Sequence, residues 1–373
     1  MNKTAIVIGA GIVGLATARA LALKGYTVTV LEKDMQAVGA SIRNFGMIWP
    51  IGQPEGVLLN RAMRSREIWS SILQDAAIWH NPCGSIHLAY NELEWQVLQE
   101  LFEQFSKQER NVSLLSKQQL IEKYPEVNTT NLFGGLYSDS ELIVNPLLSI
   151  TSLPAYFKEK YDITFLWAHS IHQVTSDAVY YNNTVLNAEL VFVCSGANFQ
   201  QLFPTEFNAI PISKCKLQML KMKSVSNQIL NTALCAGLSL IHYKSFEVAD
   251  SLPKLKNYYE LTHTEYLKWG IHVMVDQNNQ HEFIIGDSHE YGHTHLPFNR
   301  YEINQLILKY LHQFLSIDDL ELVEQWNGIY PKMTNGATEV FLNPLPGVYI
   351  INGLGGAGMT LSFGLAEELI SKL

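Results

Sequence analysis

Cysteine and charged residues are scarce in this sequence, and long runs made only of apolar residues are absent. Only 16% of its 373 residues are charged, but the uncharged stretches that reach the ~18 to 20 residues of a membrane helix, 224–243 and 340–366, are interrupted by polar residues, glycine or proline. The apolar start carries Arg19 and Lys24 and lacks a small-residue cleavage site, which argues against a signal peptide. We therefore expect a soluble, cytoplasmic protein with no membrane partner. Four cysteines without Cys-x-x-Cys spacing indicate reduced thiols rather than a disulfide framework: Cys83, Cys194, Cys215 and Cys235.

Positive charge is also in deficit. Lysine and arginine total 26 against 35 aspartates and glutamates, a formal net charge of −9, which argues against nucleic acid as a partner. Hydrophobic residues make up 47% of the chain, enough for a substantial core. The length predicts about two to three domains, and because no repeat or low-complexity linker separates them, we expect them to interleave along the chain.

The first 32 residues contain the strongest local pattern. An apolar, β-branched strand at residues 6–8 breaks into Gly-x-Gly-x-x-Gly at residues 9–14. An Ala- and Leu-rich helical pattern follows and ends at Gly25, and a second apolar strand finishes on Glu32. A lone glycine motif is weak evidence, but strand, turn, helix, second strand and acid in this order predict a dinucleotide-binding unit.

Each residue type in this unit has a physical role. Gly9 permits the tight turn, and Gly11 lets the backbone approach a pyrophosphate at the helix N-terminus. Gly14 lets helix and strand pack closely, and Glu32 can accept hydrogen bonds from ribose hydroxyls. The unit alone is compatible with either NAD or FAD.

Three further stretches suit a long cofactor. The small and polar residues 39–47 offer backbone N–H and hydroxyl groups, although a plain loop would look the same. A buried strand at residues 188–194 ends in the small-residue turn Ser195-Gly196, as at the ligand edge of an open α/β sheet. A strand at residues 348–351 leads into the glycine-rich loop 352–360 and a final helix, a second N-terminal anion site.

Periodicity predicts the remaining elements. Residues 211–323 alternate as in an antiparallel sheet. Helical patterns cover 57–80, 91–109 and 301–315, and a further helix starts after Asn145-Pro146. Strand patterns cover 162–167, 178–181, 216–222, 270–275 and 282–287.

These segments together resemble the superfamily of D-amino-acid oxidase, glycine oxidase and sarcosine oxidase, over nearly the whole chain. The resemblance implies an α/β fold with a Rossmann-like FAD-binding domain and an interleaved, mainly antiparallel β-sheet substrate domain. The FAD-binding domain would comprise residues 1–48, 141–205 and 325–373, and the substrate domain residues 49–140 and 206–324.

The resemblance also implies which residues hold FAD. The first glycine turn would bind the pyrophosphate, and the helix that follows the last glycine loop would face the C2 oxygen of the flavin ring. The implied FAD-binding residues are Gly9, Gly11, Ile12, Val13, Gly14, Glu32, Lys33, Ala40, Ser41, Arg43, Asn44, Phe45, Gly46, Met47, Val174, Ser195, Gly196, Gly355, Gly356, Ala357, Gly358, Met359 and Thr360.

Two departures from the family pattern are informative. Tyr330 stands where the glycine-oxidase branch has an arginine that clamps the substrate carboxylate, and tyrosine cannot supply that cationic fork. An α-amino-acid substrate is therefore in doubt. The sarcosine-oxidase branch bonds flavin to a cysteine near this segment, but no cysteine follows Cys235 here, so we expect noncovalent FAD.

A narrower resemblance concerns the substrate. Residues 43–50, 269–274 and 286–292 look like a subfamily associated with aminophosphonate breakdown. This implies an aminoethylphosphonate, or its N-methyl form, as the substrate.

Amine oxidation by flavin requires a neutral amine, a C–H bond aimed at flavin N5 and a dry site. We expect His272, Tyr330, Trp49 and Lys332 to adjoin the substrate. His272 shares a strand face with Met274, although a histidine satisfied within the sheet is an equal alternative. Arg43, Lys332 and His289 could bind an anionic tail, or be structural. His293 and His295 alternate along the chain and could share a face that binds a metal ion. A flavin site needs no metal, so we expect none.

The function expected from these observations is FAD-dependent oxidation of a small primary or secondary amine. Hydride transfer to flavin N5 would give an imine that water hydrolyses, and O2 would reoxidise the flavin to give H2O2. Two alternatives stay open: a flavin-dependent 2-hydroxy-acid dehydrogenase that passes electrons to another acceptor, and a non-catalytic flavin-binding subunit. The oligomeric state is unknown at this point.

Overall fold

The structure is a computed structural model that describes residues 3–373. Its strands are β1 Thr4–Ile8, β2 Thr27–Leu31, β3 Met47–Ile48, β4 His80–Asn81, β5 Ser85–Ala89, β6 Val112–Ser116, β7 Gly134–Ser138, β8 Leu142–Val144, β9 Thr164–Leu166, β10 Gln173–Val174, β11 Ala178–Tyr181, β12 Thr184–Asn187, β13 Leu190–Val193, β14 Ile212–Ser224, β15 Ala233–Ala236, β16 Met274–Gln277, β17 Glu282–Gly286, β18 Glu290–Gly292, β19 Leu320–Met333, β20 Val340–Leu345 and β21 Val348–Asn352.

The α-helices are α1 Ile12–Leu23, α2 Val57–Asp75, α3 Glu92–Lys107, α4 Lys117–Lys123, α5 Pro146–Tyr161, α6 Pro204–Asn208, α7 Gly237–Leu240, α8 Leu252–Thr262, α9 Thr264–Lys268, α10 Tyr301–Phe314 and α11 Gly358–Ser371. Short 3-10 helices cover Ala40–Ile42, Pro50–Gly52, Lys244–Val248 and Gly355–Ala357.

One sheet has the order β20-β21-β13-β1-β2-β9. Its strands from β21 to β9 run parallel, and β20 pairs antiparallel at one edge. Both faces of these Val- and Ile-rich strands are covered, as parallel sheets require. One face packs with α1, α2, α5 and α11 in an apolar cluster, and the other packs in a second apolar cluster that includes the β10-β11-β12 meander. This confirms the predicted mixed α/β fold.

A nine-stranded sheet has the order β18-β14-β17-β16-β15-β5-β7-β6, with β19 paired to β14. All its pairs are antiparallel except β15 with β5. The longest ladder joins β14 to β19 from Ile212–Met333 to Ser224–Leu320. Because β19 runs through residue 325, it crosses one predicted domain boundary, and the domain bounds stay a prediction.

Two predicted elements end earlier or start later than their patterns indicated. The helix predicted over residues 57–80 stops at Asp75, since Ala77 takes a left-handed conformation with φ +50° that the helix cannot continue through. The strand predicted over residues 270–275 begins only at Met274. His272 precedes it and instead exchanges two backbone hydrogen bonds with Asp287, N–H to O at 3.3 Å and 3.1 Å.

Several predicted boundaries agree with the structure. The helix after Asn145 starts at Pro146, and the Asn145 side chain accepts the N–H of Leu148 as an N-cap. The first helix ends before Gly25, whose φ of +86° suits only glycine without strain. Across residues 3–373, none of the helices combines the length and apolar composition that a membrane crossing requires.

The contact between α2 and α11 yields a stability prediction. The rings of Trp69 and Phe363 meet edge-to-face at 5.0 Å, and both are fully buried. We expect Phe363→Ala to lower the free energy of unfolding by about 3–5 kcal/mol, because it removes apolar contacts and leaves a cavity. Equilibrium urea unfolding of the flavin-loaded protein measures the loss. Phe341→Ala, at a side chain 38% exposed on β20, is the control, and equal losses would contradict the role assigned to this contact.

Candidate active site

The first glycine turn is held by backbone contacts that leave no room for side chains. Gly9 has φ +106°, and a Cβ there would lie 2.5 Å from the carbonyl oxygen of Cys194 at the end of β13. A Cβ on Gly14 would lie 1.8 Å from the carbonyl oxygen of Gly9. The N-terminus of α1 therefore sits directly over the ends of β1 and β13, with its positive dipole end at the cavity.

Two side chains support this turn. Glu32 follows β2, and its carboxylate accepts the N–H of Ala10 at 2.8 Å and that of Asp34 at 3.2 Å. Ser41 accepts the N–H of Ile12 at 3.0 Å through its hydroxyl oxygen. Glu32 also lines the cavity. Its carboxylate therefore both fixes the turn and presents an acid to the cavity.

The segment 39–47 forms a loop that its own asparagine braces. The Asn44 amide donates to the carbonyl oxygens of Ala40 and Ser41, both at 2.9 Å, and its oxygen accepts the N–H of Gly46 at 2.8 Å. A Cβ on Gly46 would lie only 2.0 Å from the carbonyl oxygen of Val144, so no side chain fits there. Asn44 therefore uses its polar atoms to shape the loop around the cavity.

The last glycine-rich loop closes the cavity from the other end of the chain. Gly353 and Gly355 have φ of +78° and +60°, and α11 starts at Gly358. Thr360 on α11 accepts the N–H of Trp49 at 2.9 Å. Lys332 on β19 forms a backbone bridge with Leu354. This loop thus joins the parallel sheet to the nine-stranded sheet.

A single cavity of about 870 Å³ runs from the first glycine turn to the last glycine loop, a size typical of sites for large ligands. The FAD implied by the resemblance fits its wall. The hydroxyl oxygen of Ser195 is buried there and has no hydrogen-bond partner within residues 3–373. Together with the open helix N-terminus and the acid, this leaves donors and acceptors where a dinucleotide needs them.

The structure brings nearly all predicted site residues to this cavity. Three do not line it. Gly14 and Gly46 face backbone instead, in keeping with close packing, and Val174 lies on β10 in the separate meander, packed against an apolar cluster. Residues 169–171 line the cavity in place of Val174. The four predicted substrate neighbours all lie on the wall: His272, Tyr330, Trp49 and Lys332.

Polar groups gather on the wall formed by the nine-stranded sheet. Nε2 of His272 lies 3.2 Å from Oδ1 of Asp287, and Nε2 of His289 lies 3.7 Å from Oδ2. His242 stacks on His272 with ring centroids 3.7 Å apart. Lys332 donates to the hydroxyl oxygen of Tyr291 at 2.9 Å. Asp287 lies within residues 286–292, which carry the narrower resemblance, but no pattern gave it a role, and no sequence pattern pointed to His242.

Burial governs the charge of these groups. Desolvation raises the pKa of Asp287 well above its usual value and lowers the pKa of His272 well below its own. The side chain of His242 is exposed at the wall, where desolvation and the neighbouring His289 and Lys332 lower its pKa. Desolvation lowers the pKa of His289 to about 4. The three imidazoles are therefore neutral near pH 7. Tyr330 is buried beside them, and desolvation raises its pKa, so its phenol stays protonated.

An apolar and aromatic wall faces this cluster. The hydroxyl of Tyr243 donates to the sulfur of Met274 at 3.1 Å, and Tyr243 lies 6.4 Å from Trp49 between ring centroids. Trp49 and Met274 are buried, and all three line the cavity. Such a wall keeps water away from a reacting group.

The glycine contacts predict how tightly the cofactor is held. In Gly14→Ala the added methyl group collides with the backbone of Gly9, so we expect FAD affinity to fall by at least roughly tenfold, equivalent to 1.4 kcal/mol. Gly292→Ala, on β18 and outside the cavity, is the matched control, since a Cβ there would make only ordinary contacts at 3.6 Å or more. Flavin content after gel filtration measures the effect. Equal flavin retention in both variants would contradict the packing described.

Known proteins resemble this chain in sequence and in fold. A profile of the family described as FAD dependent oxidoreductase (DAO) matches residues 4–372. The tRNA 5-methylaminomethyl-2-thiouridine biosynthesis bifunctional protein MnmC of Saccharophagus degradans is 26% identical over 249 residues, which is 63% of this chain and 34% of that protein. The bifunctional protein ThiO/ThiG of a Nostoc species is 26% identical over 239 residues, 60% of this chain and 34% of that protein.

The chain spans about a third of the length of these curated relatives. Among solved structures, glycine oxidase from Geobacillus kaustophilus superposes with a TM-score of 0.80 at 19% identity, covering 100% of this chain and 95% of that one. At this identity the likeness is one of fold.

Proposed function

The chain belongs to the FAD dependent oxidoreductase family, and on that premise we propose that it oxidises a small primary or secondary amine. It is an enzyme, and its cofactor is FAD. We propose further that the amine is an aminophosphonate or its N-methyl form, that FAD is noncovalent, and that O2 is the final electron acceptor. The observation that carries the proposal is the polar cluster beside Tyr330 and Lys332. This cluster shares one cavity with the first glycine turn and the last glycine-rich loop.

The names of the similar proteins support an amine substrate. One curated relative is named for a methylaminomethyl group and one solved structure for glycine, and both contain an amine. In this chain the cavity wall offers neutral imidazoles and a carboxyl group rather than a cationic fork. These groups suit the nitrogen end of a substrate.

The cations of the wall support an anionic tail rather than an α-carboxylate. Tyr330 is a buried neutral phenol and cannot clamp a carboxylate as a guanidinium does. Two residues along β19, Lys332 offers a compact ammonium group next to Tyr291, of the kind that binds phosphate-like groups. Arg43 is turned to the carbonyl oxygen of Asn327 at 3.3 Å.

Bound FAD supplies an acceptor for the hydride that leaves the carbon beside the amine nitrogen. The protein's own residues orient that carbon. In our proposal Lys332 holds the anionic end, Tyr330 and His272 adjoin the nitrogen end, and Trp49, Tyr243 and Met274 exclude water. The oxidised product leaves as an imine that water hydrolyses.

An anaerobic screen of flavin bleaching tests the proposal. The flavin-loaded protein is mixed with N-methyl-2-aminoethylphosphonate, 2-aminoethylphosphonate, simple alkylamines, α-amino acids and 2-hydroxy acids. We expect bleaching by amines, fastest with the aminophosphonates, and peroxide when air is admitted. Bleaching by 2-hydroxy acids alone would support a dehydrogenase instead, and no bleaching by any compound would overturn the proposal.

Lys332 provides a sharper prediction. We expect Lys332→Met to raise the KM for 2-aminoethylphosphonate by roughly tenfold or more, because a charge-assisted hydrogen bond is worth about 1.5–3 kcal/mol. The KM for an uncharged-tail alkylamine should change little. Steady-state peroxide formation measures both. Lys309→Met, an exposed cation on α10, is the control, and a similar rise for both substrates would contradict an anion-binding role.

A further inference from the structure

Four titratable side chains meet on one wall of the cavity. Nitrogen atoms of His242, His272 and His289 lie within 4.8 Å of one another, and Asp287 lies between the last two, 3.2 Å and 3.7 Å from their Nε2 atoms. All four line the cavity. Asp287 and His272 also pair through their backbones, so the cluster is held from both side chain and main chain.

The cluster contains buried hydrogen-bond acceptors that lack a full set of donors. Nδ1 of His289 lies 2.8 Å from the carbonyl oxygen of Gly270, so we assign the ring proton to Nδ1, and Nε2 is left with a lone pair beside Asp287. Within residues 3–373, Nδ1 of His272 is buried without a hydrogen-bond partner, and Oδ1 of Asp287 has no neighbouring donor other than Nε2 of His272 at 3.2 Å. A buried carboxyl group and imidazole in this state lack a donor that a ligand could supply.

We propose that Asp287 binds the ammonium group of the amine substrate and takes one of its protons, with His272 and His289 holding that proton in place. This inference rests on the proposed oxidation of an amine. An N–H bond of the ammonium breaks, its electron pair stays on nitrogen as the lone pair of the neutral amine, and an O–H bond forms on the Asp287 carboxylate. No electrons are exchanged with the protein in this step.

The physical reason is that the transfer removes two charges from a desolvated site. Burial raises the pKa of Asp287, which favours its protonated form, and the same surroundings favour an amine over an ammonium ion. The charge of Lys332 reaches the cluster, since it lowers the pKa of all three histidines and that of Asp287. It therefore favours the ionised carboxylate before the substrate binds, and it disfavours a bound ammonium ion that keeps its proton. Amine oxidation needs the free lone pair that results.

A divalent metal ion is the competing occupant of three imidazoles and a carboxylate. Two features disfavour it. The rings of His242 and His272 stack nearly parallel, 29° between their planes, so their nitrogens point side by side rather than at one ion. Lys332 places a permanent positive charge next to the cluster. The ammonium proposal and the metal alternative differ in what they predict for added Zn²⁺.

A binding experiment without turnover tests the proposal. The flavin-loaded protein is titrated anaerobically with methylammonium chloride near neutral pH in weak buffer, while flavin absorbance follows binding and a pH indicator counts released protons. Sodium chloride at equal ionic strength is the reference. We expect binding without proton release in the unsubstituted protein. In Asp287→Asn we expect roughly tenfold weaker binding or more, with a proton released for each ion that still binds.

Asp276→Asn is the matched control. Asp276 is a second buried carboxyl group of the same sheet, on β16, with neither oxygen partnered within the part of the chain described, but it does not line the cavity. It should behave as the unsubstituted protein. Thermal melting and flavin content check folding, and where Asp287→Asn does not fold, His289→Leu serves, since it removes the Nε2 lone pair beside Asp287 and supplies no other acceptor.

The pH dependence of flavin bleaching by 2-aminoethylphosphonate gives an independent measurement. Ionised Asp287 is needed, so the rate should fall as pH drops through its raised pKa and level off above it. In Asp287→Asn the rate should instead climb about tenfold per pH unit, following the free amine in solution. The other groups that act on this site are His87, His242, His272, His289, Lys332, Tyr243, Tyr291, Tyr330 and Cys215.

Three outcomes would overturn the inference. They are release of one proton per methylammonium bound by the unsubstituted protein, no binding of methylammonium to it, or equal behaviour of Asp287→Asn. One equivalent of Zn²⁺ bound by the flavin-loaded protein and lost in His289→Leu would replace the inference with a metal site. If no amine bleaches the flavin, the proposed function fails by itself, while the proton count still decides the role of Asp287.

Discussion

The close approach of Gly9, Gly14 and the end of β13 is the constraint on which the rest of the structure depends. With backbone atoms in contact, α1 lies directly over β1 and points its N-terminus along the edge where the parallel strands end. Glu32 and Ser41 then complete the turn from β2 and from the following loop. Because side chains are excluded here, the cavity begins at bare backbone, which is the surface that a pyrophosphate group binds.

The strand β19 connects this cofactor-binding half to the substrate half. It pairs with β14 along a ladder that runs from Leu320 to Met333, and near its end Lys332 bridges to Leu354 in the last glycine loop. Tyr330 and Lys332 are two residues apart on this strand, so their side chains share a face. Main-chain hydrogen bonds therefore fix the positions of Tyr330 and Lys332, the groups proposed to adjoin the substrate, relative to the last glycine loop.

How much could be predicted from the sequence follows from the range of each interaction. The two glycine-rich turns, the acid after β2 and the start of α5 are local patterns, and the structure has these turns and helix starts at the residues named, while their roles in binding FAD stay a prediction. The predicted extent of α2 was wrong, because the left-handed conformation of Ala77 leaves no trace in the periodicity of apolar residues. His272 lies before its strand and not on it, because its backbone pairs with Asp287 rather than with a continuous ladder. Asp287 and His242 gain their meaning only from neighbours far away in the chain, and no spacing rule could have selected them.

The first glycine turn and the last glycine loop are completed by segments from different parts of the chain. The first is complete once β13 has been made, but the second includes the loop before α11 and the first turn of that helix. Bridging Leu354 to Lys332 also needs this late segment. The complete cavity therefore requires segments from both ends of residues 3–373, because α11 and the loop before it close the wall that the first glycine turn begins. Because α1 and α2 both pack against α11 in one apolar cluster, the helix that completes the second half of the cavity also covers the helix that begins the first half.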